Sequence, residues 1–400
     1  MSAEPTLDHL QRPHLRRIQP LGLNKDGQQF VALRDPTMLC EQTVVVPAAA
    51  MRIVQYFRGE HTVDQIAQQV GGSAQQVSAL AKRLDEVGLL WGPTSEEMEL
   101  RLKKKILDRG SFPIKASASM GKTEAECRQA MQGWFDETDD PELGAAPVGI
   151  VAPHLDYQRG WPNYAAAYHG WREASAPDRV VILGTNHFGL GDGVVLTECG
   201  FESPVGRCPA DTAVIKLLVD RFGPPVVIDQ LDHVAEHSIE LQLPWLQQCF
   251  GNVPVVAALI PDPLAAMIED EGTHRIALQP FVEGLRAALD EVGGTTFFIA
   301  SSDLSHVGPQ FGEPRPIDQQ RRTDVERHDR DMMGKFLTGD AEEFLGAARW
   351  NNNPTRWCSL GSMAAILMLA QPKQVELIDY RQAVDEKGMA LISSAAMALL

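Results

Sequence analysis

Residues 180–187 read VVILGTNH, an apolar run that ends in four small or polar residues. A short run rich in β-branched residues and closed by turn-forming residues is typical of a buried strand. Similar runs recur from residue 147 onward and favour further strands there. The predicted strands are residues 148–151, 180–183, 226–228, 253–259, 295–300 and 375–381.

Helical patterns lie between these runs, so strand and helix alternate along this part of the chain. The predicted helices are residues 163–173, 211–221, 239–250, 276–292 and 359–369. Alternation of this kind favours a parallel sheet that is covered by helices. We therefore predict an α/β fold with a largely parallel central sheet that helices cover.

The beginning of the chain has a different pattern of predicted elements, which indicates a separate, smaller unit of class α+β. It contains short strands, three short helices that include candidate N-caps at Thr62 and Ser73, and a closing strand at 89–91. The predicted divisions are an N-terminal arm at 1–27, a small domain at 28–93, a charged helical linker at 94–110 and the main domain at 111–400.

The small domain at 28–93 resembles a winged-helix or PqqD-like domain. A helix that reads DNA should be basic, but the third helix balances Lys82 and Arg83 with Asp85 and Glu86. We interpret the domain as a docking unit that binds a protein or peptide, for example by strand addition. A DNA-binding regulator is the weaker alternative.

Composition and charge exclude several classes of partner. The 400-residue chain has a net charge of −17, with +1 in residues 1–110 and −18 in residues 111–400, and such an acidic body repels nucleic acid and anionic membranes. The sequence has no uninterrupted apolar run long enough for a membrane span and no apolar signal segment at its start. Its six cysteines lack disulfide-like spacing, so we expect a cytoplasmic protein.

Polar residues follow the predicted strands where each strand ends. His154 and His187 each come shortly after an apolar run, with Asp156 and Asn186 beside them. The carboxyl ends of parallel strands open on one crevice, so these side chains are predicted to share a pocket. Two histidines at equivalent positions favour metal ligands, although each could instead be a hydrogen-bonded loop residue.

A third polar segment, SSDLSH at 301–306, also follows a predicted strand. Asp303 and His306 are close enough in sequence to interact. A carboxylate beside an imidazole would raise the pKa of His306 and fix its tautomer, as in a general base. The alternative is that Asp303 and the two serines before it cap a helix.

Cys358 comes directly before the predicted helix at 359–369. A helix N-terminus lowers the pKa of a thiol, which favours a metal ligand or a redox centre at this position. The alternative is that Cys358 is a small buried apolar residue.

Two pairs of residues spaced four apart, His233 with His237 and Glu236 with Glu240, would share one face of a helix. Their arrangement is not the H-E-x-x-H pattern of zinc proteases. The sequence also has no Walker loop, no G-x-G-x-x-G after a strand and no G-x-S-x-G, which disfavours nucleotide binding and serine hydrolysis.

Taken together, these motifs resemble the MEMO family, whose bacterial and archaeal members are called AmmeMemoRadiSam system protein B. The resemblance covers roughly residues 111–400. It is carried by APH at 152–154, LGTNH at 183–187, EHSIE at 236–240 with LP at 243–244, SSDLSH at 301–306, and Cys358. The resemblance implies an αβα sandwich, similar to the fold of class III extradiol dioxygenases, which hold Fe(II) with two histidines and a carboxylate.

The resemblance implies His154 and His187 as metal ligands, with Cys358 in the place of the dioxygenase carboxylate. It implies His306, with Asp303, as the acid/base or a further ligand. The residues then expected in the pocket are His237, Glu240, Asn186 and Asp156. A thiolate makes the site softer and favours iron, copper(I) or zinc over an open site for O₂. The resemblance therefore implies a metal site, with iron first, but argues against ring cleavage.

Two functions from different classes follow from the resemblance. One is a metal-dependent oxidoreductase that acts together with a radical-SAM protein and an AMMECR-type protein. The other is a non-enzymatic module that binds a protein or peptide and keeps the dioxygenase-like pocket only as a vestige.

Overall fold

The computed structural model describes residues 8–188, 193–264 and 275–400. Contacts between residues divide the chain into two compact units, Met1–Arg109 and Gly110–Leu400. This division falls at the end of the predicted helical linker, and residues 1–7 of the predicted arm lie outside the described residues. Within the described residues, no helix combines the length and the apolar character that a membrane span needs.

The first unit joins a small antiparallel sheet to short helices. Its elements are α1 (Asp8–Gln11), β1 (Gln19–Lys25), β2 (Gln28–Arg34), β3 (Val44–Pro47), α2 (Met51–Val54), α3 (Val63–Val70), α4 (Ala74–Asp85) and α5 (Pro93–Arg109). The strands lie in the order β1-β2-β3. The side chains of Thr62 and Ser73 accept hydrogen bonds from the backbone of α3 and α4, so both predicted N-caps are confirmed.

Two sequence-based interpretations of the first unit are wrong. Residues 19–25 of the predicted arm form β1, which pairs with β2 along its whole length. All seven residues of β1 are exposed, so no buried face gives its sequence the alternation that marks a strand. Residues 89–91 do not form a strand, because Leu90 makes only an isolated bridge to Leu15.

Arg16 attaches the segment before β1 to the core of the first unit. Its buried guanidinium donates to the carboxylate of Asp35 at 2.9 Å and to the carbonyl of Gly88 at 3.2 Å. The neighbouring backbone N–H of Leu15 donates to the carbonyl of Phe57 at 2.9 Å. This part of the predicted arm is therefore an integral part of the folded unit.

The described residues of the second unit contain an eight-stranded central sheet and a separate three-stranded sheet. The strands are β4 (Ser111–Phe112), β5 (Gly149–Ala152), β6 (Arg179–Thr185), β7 (Val195–Leu196), β8 (Gly200–Ser203), β9 (Gly206–Cys208), β10 (Val255–Ile260), β11 (Thr296–Ser301), β12 (Asp303–Val307), β13 (Val375–Val384) and β14 (Leu391–Leu399). The helices are α6 (Glu124–Asp136), α7 (Tyr157–His169), α8 (Thr212–Phe222), α9 (Leu243–Phe250), α10 (Leu278–Val292), α11 (Gln319–Phe336), α12 (Ala341–Asn351) and α13 (Leu360–Ala370).

The central sheet is parallel in its middle and antiparallel towards its edges. The strands β5, β11, β6 and β10 lie side by side in that order and run parallel. At one end β7 pairs antiparallel with β10, and at the other β14 pairs antiparallel with β5, β12 and β13. The predicted α/β class with a largely parallel central sheet is confirmed, and the antiparallel edges are additions to it.

Helices cover the parallel strands. Every residue of β5, β6 and β10 is buried, which requires cover on both faces of the sheet. Apolar side chains of α8, α10 and α13 form one core with alternate residues of these strands, and α7 packs against β5 and β14.

The predicted strand at 226–228 is wrong, because Pro224–Val226 form a 3₁₀ turn. Two consecutive prolines, at 224 and 225, fix φ directly before the predicted strand and favour a turn there. Val226 is nevertheless fully buried, which explains the apolar pattern that suggested a strand.

The pairing register brings the carboxyl ends of the parallel strands to one edge of the sheet. Ser301 at the end of β11 pairs with Ala152 at the end of β5. A Cβ atom on Gly361 would lie 2.4 Å from the carbonyl oxygen of Pro261, so only glycine lets the start of α13 approach the end of β10 this closely. The residues that follow the strands and those that precede α13 therefore meet.

Candidate metal centre

Three potential metal ligands converge at this edge of the sheet. His154 follows β5, His187 follows β6, and Cys358 immediately precedes Ser359, the N-cap of α13. One ligand atom from each lies within 4.8 Å of the others, and the Cys358 Sγ lies 3.4 Å from the His154 Nε2. The structure thus brings together the three residues that the sequence predicts as metal ligands.

A hydrogen-bond network assigns the tautomer of His154. The Ser301 hydroxyl donates to the carbonyl of Ser238 at 2.5 Å and accepts from the Gln242 Nε2 at 2.8 Å. Its remaining lone pair faces the His154 Nδ1 at 3.4 Å, so that nitrogen carries the proton. The lone pair of the His154 Nε2 is then free on the side of Cys358. Burial lowers the pKa of His154, with the neighbouring His187 acting in the same direction, so the ring is neutral.

Glu236 sets the state of His187. Its carboxylate lies 3.1 Å from the His187 Nδ1 and also accepts the backbone N–H groups of His187, His237 and Ser238 at 2.8–2.9 Å. Burial alone would raise the pKa of Glu236, but His187 and these hydrogen bonds outweigh burial and hold that pKa below its usual range. Burial likewise opposes a charge on His187, but Glu236 prevails and raises the pKa of His187 well above its ordinary value. The pair holds the Nδ1 of His187, so its Nε2 is the nitrogen that would bind a metal, in exchange for the proton that the charged form carries there.

These residues fit a transition-metal ion. Metal–nitrogen and metal–sulfur bonds of about 2.0–2.3 Å place tetrahedral donors about 3.5 Å apart, close to the separation of Cys358 and His154. Each histidine has its Nδ1 held by a hydrogen-bond partner, which is the usual support of a metal-binding imidazole. Two imidazoles and one thiol suit iron, copper or zinc better than magnesium or calcium.

Asp303 lies directly behind these donors. One carboxylate oxygen accepts the backbone N–H of His154 at 3.0 Å and of Leu155 at 3.2 Å, and the other lies 3.7 Å from the His154 Nε2. Burial raises the pKa of Asp303 to about 7, against these two hydrogen bonds. Asp303 is therefore a carboxyl group that can hold or release a proton near neutral pH.

His306 lines the same pocket, but the predicted pairing with Asp303 is wrong. The His306 Nδ1 donates to the carbonyl of Leu304 at 3.0 Å, and this contact sets the tautomer. Burial lowers the pKa of His306 to about 4, whereas pairing with a carboxylate would have raised it. The pairing of β12 with β14 shifts register between Asp303 and His306, and each side chain has a different backbone partner: Asp303 accepts from His154, and His306 donates to Leu304.

The other predicted pocket residues divide into two groups. His237 and Asp156 line the cavity, with the His237 ring stacked on His187 at a centroid distance of 5.2 Å. Glu240 is buried elsewhere and accepts the backbone N–H groups of residues 115–117. Asn186 donates to Asp232 at 2.7 Å and does not line the cavity.

The helix face predicted from residues spaced four apart is wrong. Glu236 and His237 lie between two short 3₁₀ segments, Gln230–Val234 and Glu240–Gln242. His233 is buried against two phenylalanine rings and lies 3.2 Å from the carbonyl of Val195. Sequence spacing therefore missed the role of Glu236 as the partner of His187; the only signal was its place beside His237 in the EHSIE motif.

A cavity of about 420 Å³ opens in front of the donors. It is lined by the two histidine donors His154 and His187, by Asp303, and by His237 and His306. The remaining lining residues are Ala116, Ser119, Leu155, Asp156, Arg159, Phe188, Leu241, Phe311 and Ile392. Two of the three donors therefore face a small pocket whose lining is mostly apolar.

Comparisons with known proteins find similar sequences over the unit that holds this site. The profile of a family described as Memo-like protein matches residues 113–398. A MEMO1 family protein of Methanothermobacter thermautotrophicus is 31% identical over 292 residues, which cover 69% of this chain and 94% of the relative. A MEMO1 family protein of Methanopyrus kandleri is 30% identical over 62% of this chain and 82% of its own length. A third, of Thermus thermophilus, is 25% identical over 81% of this chain and 93% of its own.

Proposed function

This chain belongs to the Memo-like protein family, and we propose that it binds one transition-metal ion through His154, His187 and Cys358 for a redox-related function. The observation that supports the proposal most strongly is the convergence of these three donors within 4.8 Å, with both Nδ1 atoms held by partners. We propose iron as the metal, with copper and zinc as alternatives that the same donor set accepts.

A bound iron or copper ion supplies one-electron chemistry beside the cavity. The residues around it handle protons and position a substrate. His306 keeps Nδ1 on the Leu304 carbonyl, so only its Nε2 can accept a proton from a molecule in the cavity. Asp303, with a pKa of about 7, can hold a proton beside His154.

The test is equilibrium binding of Fe(II), Cu(I) and Zn(II) to metal-free protein under anaerobic conditions. His154→Ala, His187→Ala and Cys358→Ser should each abolish tight binding without unfolding the protein, while Asp303→Asn should weaken it about 10–100-fold. Cys249→Ser, which removes a thiol outside the centre, is the matched control and should bind like the wild type. Wild-type protein that takes up none of the three metals would refute the proposal.

The alternative function is binding of a protein or peptide by the first unit. In the described residues, β1 and β3 each pair on one side only, which leaves an edge for strand addition.

We propose that the protein acts with a radical-SAM protein and an AMMECR-type protein, in the reducing cytoplasm. None of the six cysteines forms a disulfide with another described cysteine, which supports such a compartment. Genes for both partner types beside this one, and binding of the purified proteins, would support the proposal.

A further inference from the structure

A buried carboxylate lies behind the candidate metal centre. Asp329 of α11 is fully buried, and each of its oxygens accepts two hydrogen bonds. Ser305 and the Trp357 indole N–H donate to Oδ1 at 2.5 and 2.8 Å, and Tyr380 and Ser393 donate to Oδ2 at 2.8 and 2.5 Å. Four donors from four different segments therefore converge on one side chain.

Two of these donors are direct neighbours of residues that line the centre. Ser305 precedes His306, and Trp357 precedes Cys358. A carboxylate that fixes both fixes the position of the backbone on two sides of the pocket. We infer that Asp329 is a positioning residue, which acts through Trp357 to hold the Cys358 sulfur in place for the metal. This inference rests on the proposed metal site.

The segment before Cys358 needs such support because its backbone is strained. Asn352, Asn353 and Arg356 have positive φ angles of 56°, 46° and 58°. Asparagine tolerates the left-handed backbone conformation, but the same conformation is costly for Arg356. Such conformations persist only where the surrounding structure enforces them. The Asn353 side chain accepts the N–H of Trp357 at 2.8 Å and donates to its carbonyl at 3.0 Å.

Trp357 is therefore fixed by its backbone and by its indole. The Asn353 contacts hold the backbone, and Asp329 holds the ring from the far side. Removal of the indole contact leaves the strained segment free to relax, and Cys358 is the next residue along the chain. The predicted consequence is a displaced thiolate rather than an unfolded protein.

The chain offers a matched pair of tryptophans for the test. Trp357 and Trp245 are both buried, but the Trp245 indole nitrogen has no hydrogen-bond partner among the residues that the structure describes. Trp357→Phe removes a hydrogen bond to Asp329, whereas Trp245→Phe removes none. Asp329→Ala removes all four contacts. Asp329→Asn is the conservative variant, since its amide oxygen can still accept from Trp357 and its NH₂ can donate to the Tyr380 and Ser393 hydroxyls.

The probe is Co(II) added to metal-free full-length protein, because thiolate coordination gives a charge-transfer absorption band. Trp357→Phe and Asp329→Ala should weaken Co(II) binding about 10–100-fold and reduce this band at saturating metal. Asp329→Asn should keep most of the Co(II) affinity and most of the absorption band, and Trp245→Phe should match the wild type in both measurements. Circular dichroism identifies any variant that fails to fold, and Trp357→Phe then carries the test alone.

The possible failures are distinguishable. If Trp357→Phe keeps the wild-type band at saturating metal, Asp329 does not position the sulfur and the inference is overturned, even if the affinity falls. If wild-type protein shows no band, or if Cys358→Ser keeps it, the proposed metal site itself is wrong and the inference falls with it.

Discussion

At the scale of single residues, the histidines of the site differ in protonation because different atoms face their imidazole rings. His154 is neutral because it is buried next to other histidines, whereas Glu236 favours the charged form of His187. His306 is neutral because burial outweighs its hydrogen bond to a carbonyl. The sequence identified these three histidines as site residues, but their protonation depends on tertiary neighbours that no spacing rule reveals.

Glu236→Gln tests how much the partner of His187 contributes. We expect metal affinity to fall about 10–100-fold, because a neutral amide holds the His187 Nδ1 less firmly and makes the imidazole a weaker ligand. The measurement is competitive titration of Zn(II) with a chelator. Glu240→Gln is the control, since Glu240 is equally buried but contacts none of the three donors. An equal loss in both variants would contradict the assigned role.

His233 gives a pH-dependent stability that can be measured without metal. Burial lowers its pKa to about 4, compared with about 6.5 in an unfolded chain. Between these values the unfolded chain binds more protons, so the free energy of unfolding falls as the pH falls. The contribution of His233 to this loss is roughly 2 kcal/mol between pH 7 and pH 5.

His233→Gln, which keeps a donor for the Val195 carbonyl, should remove this part of the loss. Urea unfolding followed by tryptophan fluorescence measures it, since six of the seven tryptophans lie after residue 110. The same loss of stability in wild type and variant between pH 7 and pH 5 would show that His233 is not the group responsible.

At the scale of elements, the sequence predicted best those strands that are buried on both faces. The runs at 180–183 and 253–259 correspond to β6 and β10, because buried parallel strands are continuously apolar. By contrast, β12 reads DLSHV, and β14 contains mostly small residues, so neither has a strong strand signature. Both strands exist because of pairing partners that are distant in sequence.

The segment before β2 determines which fragment of the first unit folds. Residues 8–109 should fold when expressed alone, whereas residues 28–93 should not, because the shorter fragment lacks β1 and the buried Arg16. Circular dichroism and thermal melting distinguish the two. The folded fragment should not bind duplex DNA at physiological salt, since its near-neutral charge provides little counterion release. Salt-sensitive, sub-micromolar binding to random duplex DNA would favour a regulator instead.

At the scale of the whole molecule, the topology of the sheet creates the centre. Cys358 lies 204 positions after His154 in the chain, yet their ligand atoms are 3.4 Å apart. Sequence reasoning could predict this meeting because parallel strands share one carboxyl edge. It could not predict Asp329, which comes from the middle of a helix with no motif, and whose role depends on packing alone.

The coordination shell of the bound metal tests the central claim most directly. X-ray absorption at the zinc edge of protein loaded with one equivalent of Zn(II) should show one sulfur at about 2.3 Å and nitrogen or oxygen ligands at about 2.0–2.1 Å. The sulfur shell should disappear in Cys358→Ser and persist in Cys249→Ser. A shell without sulfur in the wild type, or one that keeps its sulfur in Cys358→Ser, would contradict a centre built from His154, His187 and Cys358.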